Sequence, residues 1–184
     1  MKRIFFSIAF IASIAMSSFA QTSPIVGTSN LPVDEDTKLI TYKEVVKETG
    51  TVDELYIRAL AWINKTFPNP TDVTQIRDRA NGKLEGIARF KIHKTLPDGS
   101  KVDHGVISYT FTIEGKEGRY RYTFTKFNLK SMSYYPLERW LDNKSTYIDG
   151  YTNANLLQVD EKIKELIESL KESMKFKAKK DDSW

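Results

Sequence analysis

The best candidates for chemistry lie at alternate positions of stretches rich in β-branched and aromatic residues. In residues 118–130, arginines and threonines alternate with tyrosines and phenylalanine. A β-strand would place these two sets on opposite sides. Cationic groups bind anions, and hydroxyl groups donate and accept hydrogen bonds. The sequence therefore predicts a partner-binding face that comprises Arg89, Lys91, His93, Thr110, Thr112, Arg119, Arg121 and Thr123.

The alternative to a binding face is the ordinary solvated side of an antiparallel sheet. Such a side often carries polar residues that form strands well, including threonine. Ile76 and Ile87 also fall on this side of the predicted sheet and add some apolar area. The pattern by itself does not separate the two interpretations.

The two histidines, His93 and His104, flank a loop that also contains Asp98 and Asp103. Two imidazoles and a carboxylate can hold zinc, and a histidine with an acid and a serine can support hydrolysis. However, the spacing matches no metal motif, and the chain has no cysteine, no Gly-x-Ser-x-Gly and no glycine-rich phosphate loop. We predict no catalytic residue, metal or cofactor, and keep a hydrolase-like site near His93 and His104 as an alternative.

The first 20 residues have the pattern of a secretory signal peptide. A basic start is followed by a short apolar run, and Ser18 and Ala20 are the small residues that precede cleavage before Gln21. A membrane anchor is the alternative, but the apolar run is short for one. Because the chain has no cysteine, it is not a lipoprotein. We expect an exported protein, periplasmic or secreted, without a transmembrane segment after cleavage.

Charge gives no reason to expect a nucleic-acid partner. The chain has 28 basic and 24 acidic residues, and removal of Lys2 and Arg3 with the signal peptide leaves 26 and 24. Such a small excess is far below the strongly basic balance of nucleic-acid-binding domains. A protein, a polysaccharide or a small anionic ligand is the expected partner, and the sequence does not predict an oligomeric state.

The periodicity of apolar residues predicts one α+β domain over residues 38–178. Residues 21–37 form a leader and residues 179–184 a charged tail. Thr51 and Glu54 have the spacing of a capping box at the start of a helix over 51–67. The predicted strands are 39–48, 72–80, 83–93, 104–115 and 118–130, residues 131–152 are irregular, and a second helix covers about 154–176.

The order of these elements, β-α-β-β-β-β-α, predicts a five-stranded antiparallel sheet with both amphipathic helices on one face. Asn81-Gly82 is typical of a two-residue hairpin turn. The turn spacings place Phe90 opposite Ile107 and Phe111 opposite Tyr122. The tyrosines of 118–130 then belong to the core beneath the helices.

Several of these segments resemble a known family. The stretch "LPVDEDTKLITYKEVVKETGTVDELYIRALAWINKTF", followed by "ANGKLEGIARF", is similar to exported bacterial proteins of a domain-of-unknown-function family with a TATA-binding-protein-like fold. The resemblance covers roughly residues 31–127 and implies a curved β-α-β4-α sheet. It implies no activity, cofactor or catalytic residue, and the shared shape does not imply DNA binding.

We expect a non-enzymatic exported binding module that uses the open face of its sheet. A second alternative, besides the hydrolase, is a carrier of an apolar small ligand. Its cavity would lie between the sheet and the helices and be lined by Trp62, Tyr122, Phe124 and Tyr134.

Overall fold

The computed structural model describes residues 31–131, 133–141 and 151–176. The signal peptide, most of the leader and the charged tail predicted above lie outside these residues. Within them, packing begins at Leu31, and Val33 bridges to Ile40. The elements are β1 (Tyr42–Lys47), α1 (Val52–Thr66), α2 (Pro70–Val73), β2 (Thr74–Asp78), β3 (Lys83–Thr95), β4 (Lys101–Lys116), β5 (Arg119–Lys130), β6 (Tyr134–Pro136), a 3-10 helix (Leu137–Trp140) and α3 (Thr152–Met174).

Helix α1 begins at the predicted capping box. Thr51 accepts a hydrogen bond from the Glu54 amide, and the Glu54 carboxylate accepts one from the Thr51 amide. These bonds satisfy amide donors that the first turn of a helix leaves without partners. The helix ends just before Pro68, so its position is fixed at both ends by local sequence.

The strands form one antiparallel sheet in the order β1-β5-β4-β3-β2, with β6 paired to the far end of β5. Phe90 lies opposite Ile107, as predicted. The prediction for Phe111 was wrong by two residues: it lies opposite Phe124, because the two-residue β4–β5 turn consists of Glu117 and Gly118, one position later than the predicted pairing requires. The Asn81-Gly82 turn is also longer than predicted, since residues 79–82 separate β2 from β3.

A β-bulge at Lys126 changes the side on which the β5 residues lie. Tyr120, Tyr122 and Phe124 are buried at even positions, but beyond the bulge the buried residue is Phe127. Lys126 adopts a φ of 55°, in the left-handed region, and supplies the extra residue. The bulge therefore keeps both halves of the strand facing the core.

Both long helices pack on the same side of the sheet, as predicted. Trp62 of α1 contacts the rings of Phe67 and Phe111, and Phe111 contacts Phe124. From α3, the Gln158 side chain exchanges two hydrogen bonds with the main chain of His93, at 2.9 and 2.8 Å. The helix thus contributes to the core and also covers part of the β3 edge that β2 does not reach.

The segment predicted as irregular contains β6 and the 3-10 helix. Leu137 and Trp140 are buried, and the Tyr135 and Trp140 rings lie 6.2 Å apart. Glu138 accepts a hydrogen bond from the amide of Ile40 at 2.8 Å. These aromatic residues close one end of the core, whereas Tyr134 is 68% exposed.

Candidate functional site

We call the side of the sheet opposite α1 and α3 the open face. Along β5, Tyr120 and Tyr122 are buried on the helix side, whereas Arg119 and Arg121 are exposed on the open face. The neighbouring strands alternate in the same way, because paired residues of a sheet point to the same side. No helix of the described residues covers this face; α1 and α3 both lie against the other side.

All eight residues of the predicted binding face lie on the open face, but they do not form one compact pocket. Arg119 lies opposite Lys116, near one end of β4, and Lys91 lies opposite Val106, ten residues further along the strand. At roughly 3.4 Å per residue, these two positions are about 30 Å apart. A small ligand would reach only part of the set. An extended ligand can follow all of it.

Threonines occupy the centre of the open face. Thr112 pairs with Thr123 and Thr110 with Thr125, and the Thr125 hydroxyl lies 2.9 Å from that of Thr41. Thr125 also donates to the Ile40 carbonyl at 3.2 Å. Three adjacent segments thus present hydroxyl groups side by side, a surface suited to hydrogen bonding rather than to apolar contact.

At one end of the open face, Asp103 joins two of the predicted residues. The Lys91 ammonium lies 2.6 Å from its Oδ2 atom, and His93 Nδ1 lies 3.3 Å from its Oδ1 atom. Lys91, the larger influence, holds the pKa of the Asp103 carboxyl below its usual value, and His93 acts in the same direction. This end is therefore a partly neutralised cluster.

The structure gives the two histidines different neighbours, and they are not direct cross-strand partners. His93 pairs with Asp103, and His104 is the extra residue of a β4 bulge. The His104 ring lies 5.7 Å from that of Tyr151, beside the start of α3. Among the described residues, no group of three histidine, aspartate or glutamate side chains is arranged to hold a metal.

Arg121 is also paired. Its Nε and Nη2 atoms donate to Glu114 Oε2, at 2.9 and 2.6 Å. Glu114 and Arg121 are direct cross-strand partners, and opposite charges at such positions stabilise a sheet. By contrast, Arg89 and Arg119 form no ion pair with any residue of the described ranges. These two arginines are the members of the predicted set most available to an anion.

Sequence reasoning missed two cations of the open face, Lys47 and Lys116. They flank Arg119 on the adjacent strands, and each pairs with it directly. Both lysines lie beside turns, at the ends of their strands, and the prediction did not include them. Their positions in the alternation nevertheless place them on the same side as the other open-face residues. In all, cations outnumber carboxylates on this face. The cations are Lys43, Lys47, Lys83, Arg89, Lys91, Lys101, Lys116, Arg119, Arg121 and Lys130, and the carboxylates are Asp78, Glu85, Asp103 and Glu114.

The residues proposed to line an internal cavity do not share one. Trp62, Tyr122 and Phe124 are buried and in contact with other rings, and Tyr134 points outward. These residues therefore do not support the alternative of an apolar carrier. Their rings supply the core, which is packed at their positions.

A groove of about 770 Å³ lies between α1 and α3, and Ile57, Trp62 and Phe176 contribute its apolar lining. One of its cations, Arg58, donates to the carbonyl oxygens of Thr49 and Met174, at 2.7 and 3.0 Å. The bond to Met174 connects α1 to the end of α3, and the bond to Thr49 holds the segment that precedes α1, so Arg58 has a structural role here. The open face, with its unpaired cations, is the stronger candidate for ligand binding.

Comparisons with known proteins agree on the fold. Residues 42–130 match the model of a family described as a domain of unknown function (DUF4468) with TBP-like fold. A DUF4468 family protein from Bacteroides ovatus is similar in structure, with a TM-score of 0.63 and 14% identity over 80% of this chain and 93% of that one. A TBP-like protein from Parabacteroides distasonis has a TM-score of 0.53 and 14% identity over 77% and 97% of the two chains.

The sequence comparison with curated proteins finds no match. None of the helices in the described part of the chain is both long and apolar enough to cross a membrane. At 14% identity, the two structural likenesses show the fold alone.

Proposed function

We propose that this chain, whose residues 42–130 match the DUF4468 family of TBP-like fold, is an exported binding module for an extended acidic polysaccharide. The polysaccharide lies along the open face of the sheet. One observation carries this proposal: a cation-rich, hydroxyl-rich sheet surface has no helix of the described residues over it, while both long helices pack on the other side.

The length of the open face favours a polymer. Its unpaired arginines, Arg89 and Arg119, lie at different levels of the sheet, with the threonine centre between them. A chain of sugar units can contact both charges and the hydroxyl groups at the same time, whereas a compact ligand cannot. Acidic groups complement the cations, and sugar hydroxyls complement Thr110, Thr112 and Thr123.

The chemistry of the open face favours a polysaccharide over a protein partner. Protein interfaces concentrate their binding energy in buried aromatic and other large side chains. The exposed aliphatic residues here, Val45, Ile76 and Ile87, are scattered over three strands, and the exposed aromatic residue of β6, Tyr134, lies at the far end. The remaining residues of the open face are mostly charged residues and threonines, which offer hydrogen-bond donors.

Export is the second part of the proposal, and it is supported by the sequence pattern of residues 1–20. It would place the module where acidic polysaccharides of the cell envelope or the surroundings are accessible. The same location makes nucleic acid an unsuitable partner. The family description concerns shape, and no activity follows from it.

The test compares two charge reversals of equal size on opposite sides of the molecule. Arg89→Glu with Arg119→Glu alters the open face, and Lys162→Glu with Lys164→Glu alters the exposed side of α3. Each immobilised mature protein is incubated with envelope extract, and the retained material is assayed for acidic sugar and for protein. We expect wild type and the α3 variant to retain acidic polysaccharide, and the open-face variant to lose it.

Thermal unfolding provides the folding control, because substitutions at exposed positions change stability by only about 0.5 kcal/mol each. Equal retention by all three proteins would overturn the proposal. Retention of protein without acidic sugar would replace the polysaccharide by a protein partner.

A further inference from the structure

Three cations form a line at the β4–β5 turn end of the open face. Lys116 and Arg119 are directly opposite each other across the Glu117-Gly118 turn, and Lys47 lies opposite Arg119 on its other side. All three side chains are exposed. Adjacent strands are about 4.8 Å apart, so the line spans roughly 10 Å across three strands. We call these residues the cation row.

The cation row departs from the charge pattern of the rest of the sheet. Like charges directly opposite each other destabilise a strand pair, and opposite charges stabilise it. One level away, Arg121 is paired with Glu114, and on the other side of Glu114 its cross-strand neighbour Lys83 is paired with Glu85 at 3.0 Å. The residues of the cation row form no ion pair with any residue in the described ranges. Their mutual repulsion is therefore uncompensated within this part of the protein.

A shallow cavity of about 280 Å³ adjoins the row, lined by Val45, Glu114, Lys116, Arg119, Tyr120 and Arg121. This volume lies just below the range typical of small-molecule sites and suits an ionic group better than a large ligand. Arg121 gives Nε and Nη2 to Glu114, which fixes its guanidinium and leaves Nη1 for another acceptor. Glu117, at the turn, is the second carboxylate nearby, so the cations remain in excess.

We propose that the cation row, together with Arg121, is a subsite for oxyanion groups, carboxylate or phosphate, carried on neighbouring units of the bound ligand. This inference rests on the proposed function, because it assigns a specific role to one end of the open face. Guanidinium groups bind both oxyanions through paired hydrogen bonds, and the lysines add charge on either side. Bound oxyanions would relieve the repulsion between Lys47, Lys116 and Arg119.

The test uses two defined probes, tripolyphosphate and trigalacturonate, titrated into the mature protein at constant ionic strength. Constant ionic strength is needed because salt alone screens exposed charges. Binding is measured by calorimetry and by the rise in Tm that follows when a ligand binds only the folded state. The two probes distinguish a phosphate-bearing from a carboxylate-bearing source of the same chemistry.

Lys116→Glu is the decisive variant. It should weaken probe binding about tenfold or more, because it removes one charge-assisted contact and adds a repulsive charge. Without probe, it should raise Tm by roughly 1–4 °C, because a cross-strand ion pair with Arg119 replaces a repulsive pair. This combination of higher stability and lower affinity would not follow from a merely structural role.

Lys130→Glu is the matched control, with the same change of charge at the opposite end of β5. It should leave probe binding within twofold of wild type. Equal weakening by both variants, or no binding of either probe to wild type, would overturn the subsite. If the subsite fails while polysaccharide retention still depends on Arg89 and Arg119, the proposed function survives without it. If the probes bind but no polysaccharide is retained, the oxyanion subsite is supported and the proposed polysaccharide partner is not.

Discussion

The two faces of this sheet are built from alternate residues of the same strands, yet they differ in almost every interaction. On the helix side, Phe111 and Phe124 are fully buried and contact other aromatic rings. On the open face, Thr112 and Thr123 remain partly exposed beside paired and unpaired charges. The comparison indicates that the helix side determines the fold, whereas the open face is free to carry residues chosen for binding.

The largest expected effect comes from the helix side. Phe124→Ala removes a side chain that contacts Tyr109, Phe111 and Tyr122. Truncation of a buried phenylalanine costs about 3–5 kcal/mol, through lost burial and the cavity that remains. Urea denaturation should show this loss in the free energy of unfolding. Thr123→Ala, at the adjacent position, serves as the control, and a loss below about 1.5 kcal/mol for Phe124→Ala would contradict the division between faces.

A smaller effect should appear in the pH dependence of the helix side. Burial raises the pKa of Tyr122, and its 2.6 Å hydrogen bond to Glu44 acts in the same direction. A raised tyrosine pKa contributes stability that is complete below the unfolded-state value near 10 and is lost as pH rises above it. In that window, each such tyrosine contributes a slope of up to about 1.4 kcal/mol per pH unit.

Tyr122→Phe removes one titrating group and should make the alkaline loss of stability less steep than in wild type. Urea midpoints between about pH 9 and pH 11.5 measure both slopes. The two proteins differ only in the Tyr122 hydroxyl, so the difference between the slopes reports the effect of that group. Identical slopes would show that its hydroxyl is not sequestered on the helix side.

Much of this division follows from the sequence. The alternation in β5 identified Tyr120 and Tyr122 as core residues and placed Arg119 and Arg121 on the other side, because strand side chains alternate strictly. The capping box likewise located the start of α1. These features depend on residues that are close together in the chain, and they can therefore be predicted from one sequence.

Features that depend on pairing between distant residues were harder to predict. The position of the two-residue β4–β5 turn decides whether Phe111 faces Tyr122 or Phe124, and the glycines at 115 and 118 allowed both. The bulge at Lys126 could have been suspected, because Phe127 has the wrong parity for the core without it. His93 and His104 are not direct partners because of another bulge in β4, and Gly105 within that strand was its signal in the sequence.

The charge pairs of the open face also depend on pairing between distant residues, so the sequence did not predict them. Glu114 neutralises Arg121, and Asp103 bridges Lys91 and His93, only because particular registers bring them together. Sequence parity assigned the cations to one face but did not reveal which of them would have partners. Only the register shows that Arg119 lies between Lys47 and Lys116.

The smallest expected effect on stability comes from the centre of the open face. Thr112→Val with Thr123→Val keeps the branched shape at two paired positions and removes two hydroxyl groups. Because both side chains are partly solvated, the free energy of unfolding should change by no more than about 0.5 kcal/mol per site. Retention of acidic polysaccharide should nevertheless fall, since the proposed hydrogen bonds to sugar hydroxyls are lost. If retention is unchanged, the threonine centre plays no part in binding, and the charged residues alone account for the open face. If stability instead falls as far as in Phe124→Ala, the two faces do not divide folding and binding as proposed.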